Sequence, residues 1–159
     1  MLSLDSPQWS SLQHAYGSAS DIPELLAQLA NLRLHRTIRS PGSLCGVRSF
    51  AAVPHVIACL ATAPDRPDYS FFHLPAWIEV CRLKQGVDVP DDLKPAYEEA
   101  LSKLPTLMAQ AARSTWDESM LTCALAAVAA AKGFGAVAEA ILEMNSEVAG
   151  EFLKWHLDL

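Results

Sequence analysis

The chain has 159 residues, a formal net charge of −6, and 51% apolar against 19% charged residues. That composition suits one domain over residues 1–159 and excludes a disordered chain. A pI near 5.2 argues against general binding of nucleic acid or anionic membranes.

The start, Met1-Leu2-Ser3-Leu4-Asp5, offers no basic n-region and no apolar h-region of a secretory leader. The longest apolar run, Cys123 to Ala131, has nine residues, where a spanning helix needs about 20. The expectation is a cytoplasmic protein that meets no membrane. Four cysteines, at 45, 59, 81 and 123, form no C-x-x-C pair and no zinc spacing. They read as buried thiols in a reducing compartment. Charge is uneven. Residues 1–64 carry four Arg and three acids, whereas residues 65–159 carry eight basic and fifteen acidic residues.

Taken in chain order, nearly every segment predicts helix. Ser6-Pro7 reads as an N-cap and first helical residue, Trp9, Leu12 and Tyr16 share a face, and Gly17 closes the helix. Asp21 caps a second helix with Pro23 in its first turn and a stripe of Leu25, Leu26, Leu29 and Leu32. Residues 35–48, punctuated by Pro41-Gly42 and Gly46, read as a loop. A helix follows from Ser49 to Ala63, then a two-proline turn, then a helix from Tyr69 to Gln85 bent at Pro75 and stopped by Gly86. From Asp91 to Arg113 a long helix presents Leu93, Tyr97, Leu101, Leu104, Leu107 and Met108. Ser114-Thr115 caps the next, with Asp117 and Glu118 in its first turn and Lys132-Gly133 at its end. A short helix spans Gly135 to Met144. The last starts at Asn145-Ser146 and is expected to bury Val148, Phe152 and Trp155.

One pattern recurs. Ile22-Pro23-Glu24-Leu25-Leu26-Ala27, Val53-Pro54-His55-Val56-Ile57-Ala58 and Leu104-Pro105-Thr106-Leu107-Met108-Ala109 share the order apolar, Pro, any, apolar, apolar, Ala. A proline inside a helix costs about 3 kcal/mol unless it lies in the first turn or at a bend. Three at matched points therefore suggest one backbone geometry repeated. Each unit reads as a helix pair, and a pair cannot bury its apolar stripe alone. The predicted fold is all-α, a short right-handed HEAT-like stack of antiparallel helix pairs.

Several stretches resemble a family of uncharacterised bacterial proteins with HEAT-like helices. They are His14-Ala15-Tyr16-Gly17 with Asp21-Ile22-Pro23, Phe50-Ala51-Ala52-Val53-Pro54-His55, Leu74-Pro75-Ala76-Trp77-Ile78-Glu79-Val80, Trp116-Asp117-Glu118, and Ala127 to Gly133. The chain departs from that family at residues 36–48, where an Arg-rich, Pro-Gly segment stands in place of a Cys-His-Gln-Gly stretch. The resemblance implies the stacked fold and makes a toxin-immunity or accessory role thinkable.

No set of residues for catalysis, for a cofactor or for a metal is legible. H-E-x-x-H, G-x-S-x-G, a Walker loop and a dinucleotide glycine pattern are all absent. Glu98-Glu99, Asp91-Asp92 and Asp117-Glu118 are neighbours, pointing about 100° apart on a helix, so they read as helix-start or solvated charges. The leading reading is thus a non-catalytic scaffold that binds another protein. Candidate contacts are Arg33, Arg36, Arg39 and Arg48, which could meet an acidic partner or the chain's own acidic half, together with the expected pair Glu79 and Arg82. Any exposed tryptophan would add an interface anchor. One rival is a small-ligand site or enzyme with an inter-repeat pocket gathering His14, Tyr16, His55 and Glu79. The other is nucleic-acid binding through the Arg33–Arg48 segment, against which the acidic total weighs.

Overall fold

The computed structural model describes residues 13–14, 17–18, 47–62 and 67–157. Six helices account for almost all of them: α1 (Val47–Thr62), α2 (Ser70–Gln85), α3 (Lys94–Ala111), α4 (Glu118–Ala131), α5 (Gly135–Leu142) and α6 (Ser146–Leu157). The described part is all-α apart from a ladder of β1 (Gln13–His14) with β2 (Gly17–Ser18). These pair antiparallel, Gln13 with Ser18 and His14 with Gly17. This corrects the expected helix closing at Gly17, because His14 and Gly17 stand in paired, extended backbone. The Asp21 helix and the first proline copy lie outside the described residues.

The helix boundaries follow local chemistry. Gly86 has φ 63° and Gly133 φ 86°. In each case the next residue's N–H reaches back a full turn, Val87 to the Arg82 carbonyl and Phe134 to that of Ala129. An L side chain resists this left-handed backbone, so glycine ends both α2 and α4. Asp117, not Ser114-Thr115, caps α4, accepting the Met120 N–H at 2.7 Å. The Ser114 hydroxyl instead donates to the Ala111 carbonyl at the end of α3. The expected loop over 35–48 ends two residues early, since α1 already begins at Val47 and includes Arg48.

α1 packs against α2 and α3, α2 against α4 and α5, and α4 against α3 and α5. The core runs through this block. Phe50, Val53, Ile57 and Leu60 from α1 meet Phe72, Ala76 and Val80 from α2 and Tyr97, Leu101, Leu104 and Leu107 from α3. Phe50 and Tyr97 make an edge-to-face contact at 5.4 Å. α4 contributes small residues, Ala124, Ala126, Ala127 and Ala130, all buried. Gly135 at the start of α5 lies so near α2 that a methyl group there would sit 3.1 Å from Leu83 Cβ.

Pro54, Pro75 and Pro105 all lie inside helices rather than in first turns. Each removes one backbone donor, which the surrounding packing must offset. Pro54 and Pro105 sit on α1 and α3, which pack against one another. Among the described residues, no helix is long and apolar enough to cross a membrane.

α6 departs from expectation. It has no buried residue, and Val148, Phe152 and Trp155 are 42%, 49% and 75% exposed. The apolar stripe is present, but no other described helix packs closely along it.

Candidate functional site

Glu79 stands on the core-facing side of α2 and is 3% exposed. A buried carboxylate is costly unless paired and hydrogen-bonded. Here Arg82 grips it in two places, Nη2 to Oε1 at 2.6 Å and Nε to Oε2 at 2.9 Å. Tyr97 from α3 donates its hydroxyl to Oε2 at 2.6 Å. The hydrogen bond to Glu79 is the main cause raising the Arg82 guanidinium's pKa further, against the lowering effect of burial. Arg82 also reaches the Val87 carbonyl at 3.4 Å. The three side chains tie α2, its exit loop and α3 together.

They also line one side of a cleft of about 380 Å³. Asp88 lies on the exit loop, Lys94 and Glu98 on the first turns of α3, and Lys132 at the end of α4. Cations and carboxylates are balanced around it. Such a cleft can hold a small polar molecule by charge. No group of three His, Cys, Asp or Glu side chains that could hold a metal ion occurs among the described residues.

The sequence-level candidates are distributed as follows. Glu79 and Arg82 pair as expected. Of the set expected to line one pocket, His14, Tyr16, His55 and Glu79, the described residues place only His55 and Glu79. Glu79 lines the cleft, whereas His55 is buried on α1 and is not among the lining residues. The side chains of His14 and Arg48, and all of Tyr16, Arg33, Arg36 and Arg39, lie outside the described residues. Tyr97 was legible only as a member of the α3 apolar stripe. A buried tyrosine needs a partner for its hydroxyl, and that was the available signal.

Two other polar sites are structural. Trp77 donates Nε1–H to His73 Nε2 at 2.8 Å, which requires a neutral ring, and burial lowers the His73 pKa. Burial raises the pKa of the Cys59 thiol and pushes that of Cys123 up to about 11, so neither is a ready nucleophile. Cys81 is buried on α2, and Cys45 lies outside the described residues.

The second surface is apolar. Among the described residues nine large apolar side chains are exposed, five of them on α6: Val148, Phe152, Leu153, Trp155 and Leu157. At 100° per residue they cover an arc of roughly 200° of the helix. Phe152 stacks on His156 at 5.6 Å and lies 6.1 Å from Trp155, forming an aromatic cluster. Asn145 caps the helix by accepting the Val148 N–H. Glu118 Oε1 accepts both the N–H (2.6 Å) and the hydroxyl of Ser146, pinning the start of α6 to the start of α4. Comparison with protein-family models, with curated proteins and with solved structures finds no significant match.

Proposed function

We infer that the chain is a non-catalytic helical scaffold that binds another protein through its α4–α6 side. The observation that carries this reading is α6 itself, a twelve-residue helix with five large apolar side chains exposed and none buried. Monomers rarely leave such a continuous apolar surface in water, and Trp and Phe are favoured interface anchors. In this reading α1–α4 are two stacked helix pairs of HEAT-like kind, with α1 beside α3 and α2 beside α4. Toxin immunity or an accessory role is its most concrete form, resting on the sequence resemblance alone. The test is affinity capture from the source organism with the full chain and with Phe152→Asp. A partner retained by the native chain and lost by the variant is expected. Identical recoveries would remove the reading.

The cleft supports a second reading, a site for a small charged metabolite. Its volume lies within the range of ligand sites, roughly 300–1,000 Å³. Binding would raise the melting temperature, and the double variant Lys94→Ala, Lys132→Ala would abolish the rise. A panel of amino acids, dipeptides and phosphorylated metabolites that leaves the melting temperature unchanged would exclude it.

A further inference from the structure

We propose that the partner on the α4–α6 surface is a second copy of this chain, with α6 of each copy lying antiparallel across α4 of the other. The proposal rests on the protein-binding reading of that surface and names its occupant.

Three observations converge. The first is spacing. On α4, Leu121 and Leu125 are exposed and Val128 is half-buried. They follow one face at intervals of four and three. Val148, Phe152 and Trp155 on α6 repeat those intervals. Both triplets span seven residues, so laid antiparallel Trp155 falls beside Leu121 and Val148 beside Val128, with Phe152 one residue, about 1.5 Å, out of step with Leu125.

The second is charge. The outer face of α4 begins with Glu118 and ends with Lys132, both exposed. On α6 the order is likewise acidic first, with Glu147 and Glu151 ahead of Lys154. Antiparallel contact brings Lys132 toward Glu147 and Glu118 toward Lys154. Parallel contact would set like charges together.

The third is the tether. The bond from Ser146 to Glu118 fixes the start of α6 beside the start of its own α4. Folding back within one chain would therefore be parallel, with Glu147 near Glu118 and two helix N-termini side by side. The antiparallel contact needs another copy.

A two-fold axis makes the contact twice, since each copy supplies one arm and one face. The exposed parts of Phe152 and Trp155 alone offer on the order of 250 Å² per arm. With the aliphatic residues and the α4 faces added, the total approaches the roughly 800 Å² per partner of a standard interface.

Sedimentation velocity of the full chain over a wide concentration range tests this. A species of twice 17.2 kDa is expected. Phe152→Asp should give a monomer, and Trp155→Ala, a milder change, a weaker dimer; circular dichroism checks that both remain helical. Glu147→Lys and Lys132→Glu should each weaken the dimer about tenfold, because each pair occurs twice, and the double variant should restore it. A native chain that is monomeric throughout, a dimeric Phe152→Asp variant, or a double variant no better than the singles would overturn the proposal. The outcomes separate the two claims. A monomer that still loses a different protein through Phe152→Asp sinks the self-pairing alone, whereas a monomer whose captured proteins ignore that change sinks the docking surface as well.

Discussion

α2 and α6 are made of similar material. α2 carries Phe72 and Trp77, and α6 carries Phe152 and Trp155. Yet Phe72 is fully buried and Trp77 half-buried, whereas Phe152 and Trp155 stand largely in solvent. The difference lies in neighbours. α2 is flanked by α1, α4 and α5, while α6 is held chiefly at its first residue by Glu118. An apolar stripe gives a helix the capacity to bury area, and only a facing surface turns that capacity into stability. The contrast predicts that damage to α2 and its seams unfolds the chain, while damage to α6 changes what the chain binds.

The largest loss is expected at the α2–α3 seam. Glu79→Ala would leave the partly buried Arg82 without its carboxylate and the Tyr97 hydroxyl without its acceptor. Breaking a buried pair from one side costs about 3 kcal/mol. A urea titration followed by circular dichroism should show this as a lower midpoint at an unchanged slope. An effect no larger than that of an exposed pair, such as Glu99 with Lys103, would mean the seam does not hold the block together.

Next comes the α2–α5 contact. Gly135→Ala puts a methyl group 3.1 Å from both Cβ and Cδ1 of Leu83. Overpacking of this kind costs about 1–2 kcal/mol. The double variant Gly135→Ala, Leu83→Ala should recover only the part due to Cδ1, since alanine keeps the Cβ, read as a coupling in the denaturation cycle.

These two seams show what the sequence could and could not disclose. The Glu79–Arg82 pair was legible from its spacing of three. Its burial was not, because the third member, Tyr97, comes from another helix. A solvated pair would contribute a few tenths of a kcal/mol, so one tertiary contact changes the expected size about tenfold. The helices from α1 onward, the stops at Gly86 and Gly133 and the α3 stripe were legible because each is local. The Asp117 cap was misplaced by two residues because Ser114, Thr115 and Asp117 are all good cap formers, and the Ser114 hydroxyl is engaged by Ala111. The exposure of Val148, Phe152 and Trp155 was not legible at all. Periodicity marks an apolar face without saying whether the same chain covers it.

A smaller effect, also on α2, depends on pH. Burial lowers the His73 pKa below its ordinary 6.5, and the ring accepts a hydrogen bond from Trp77. The unfolded chain therefore binds this proton more readily than the folded one. Stability should be fully present above 6.5 and fall as pH drops from there toward the folded value. His73→Gln should flatten the dependence of melting temperature on pH in that window. An equal slope in both proteins would show that His73 contributes nothing to it.

The smallest effect on folding is expected on α6, and it is the most informative. In dilute solution, Phe152→Asp and Trp155→Ala should each change stability by less than about 0.5 kcal/mol, because neither side chain is buried against the rest of the chain. Hydrogen exchange should agree, with amides of α6 exchanging early and those of α4 late. Protection of α6 should rise with protein concentration if a second copy covers it, because ordering then depends on association. A large loss of stability in either variant at the lowest concentration would place α6 inside the cooperative block. The contrast with α2 would then vanish, and with it the reason to regard α6 as a surface kept for binding.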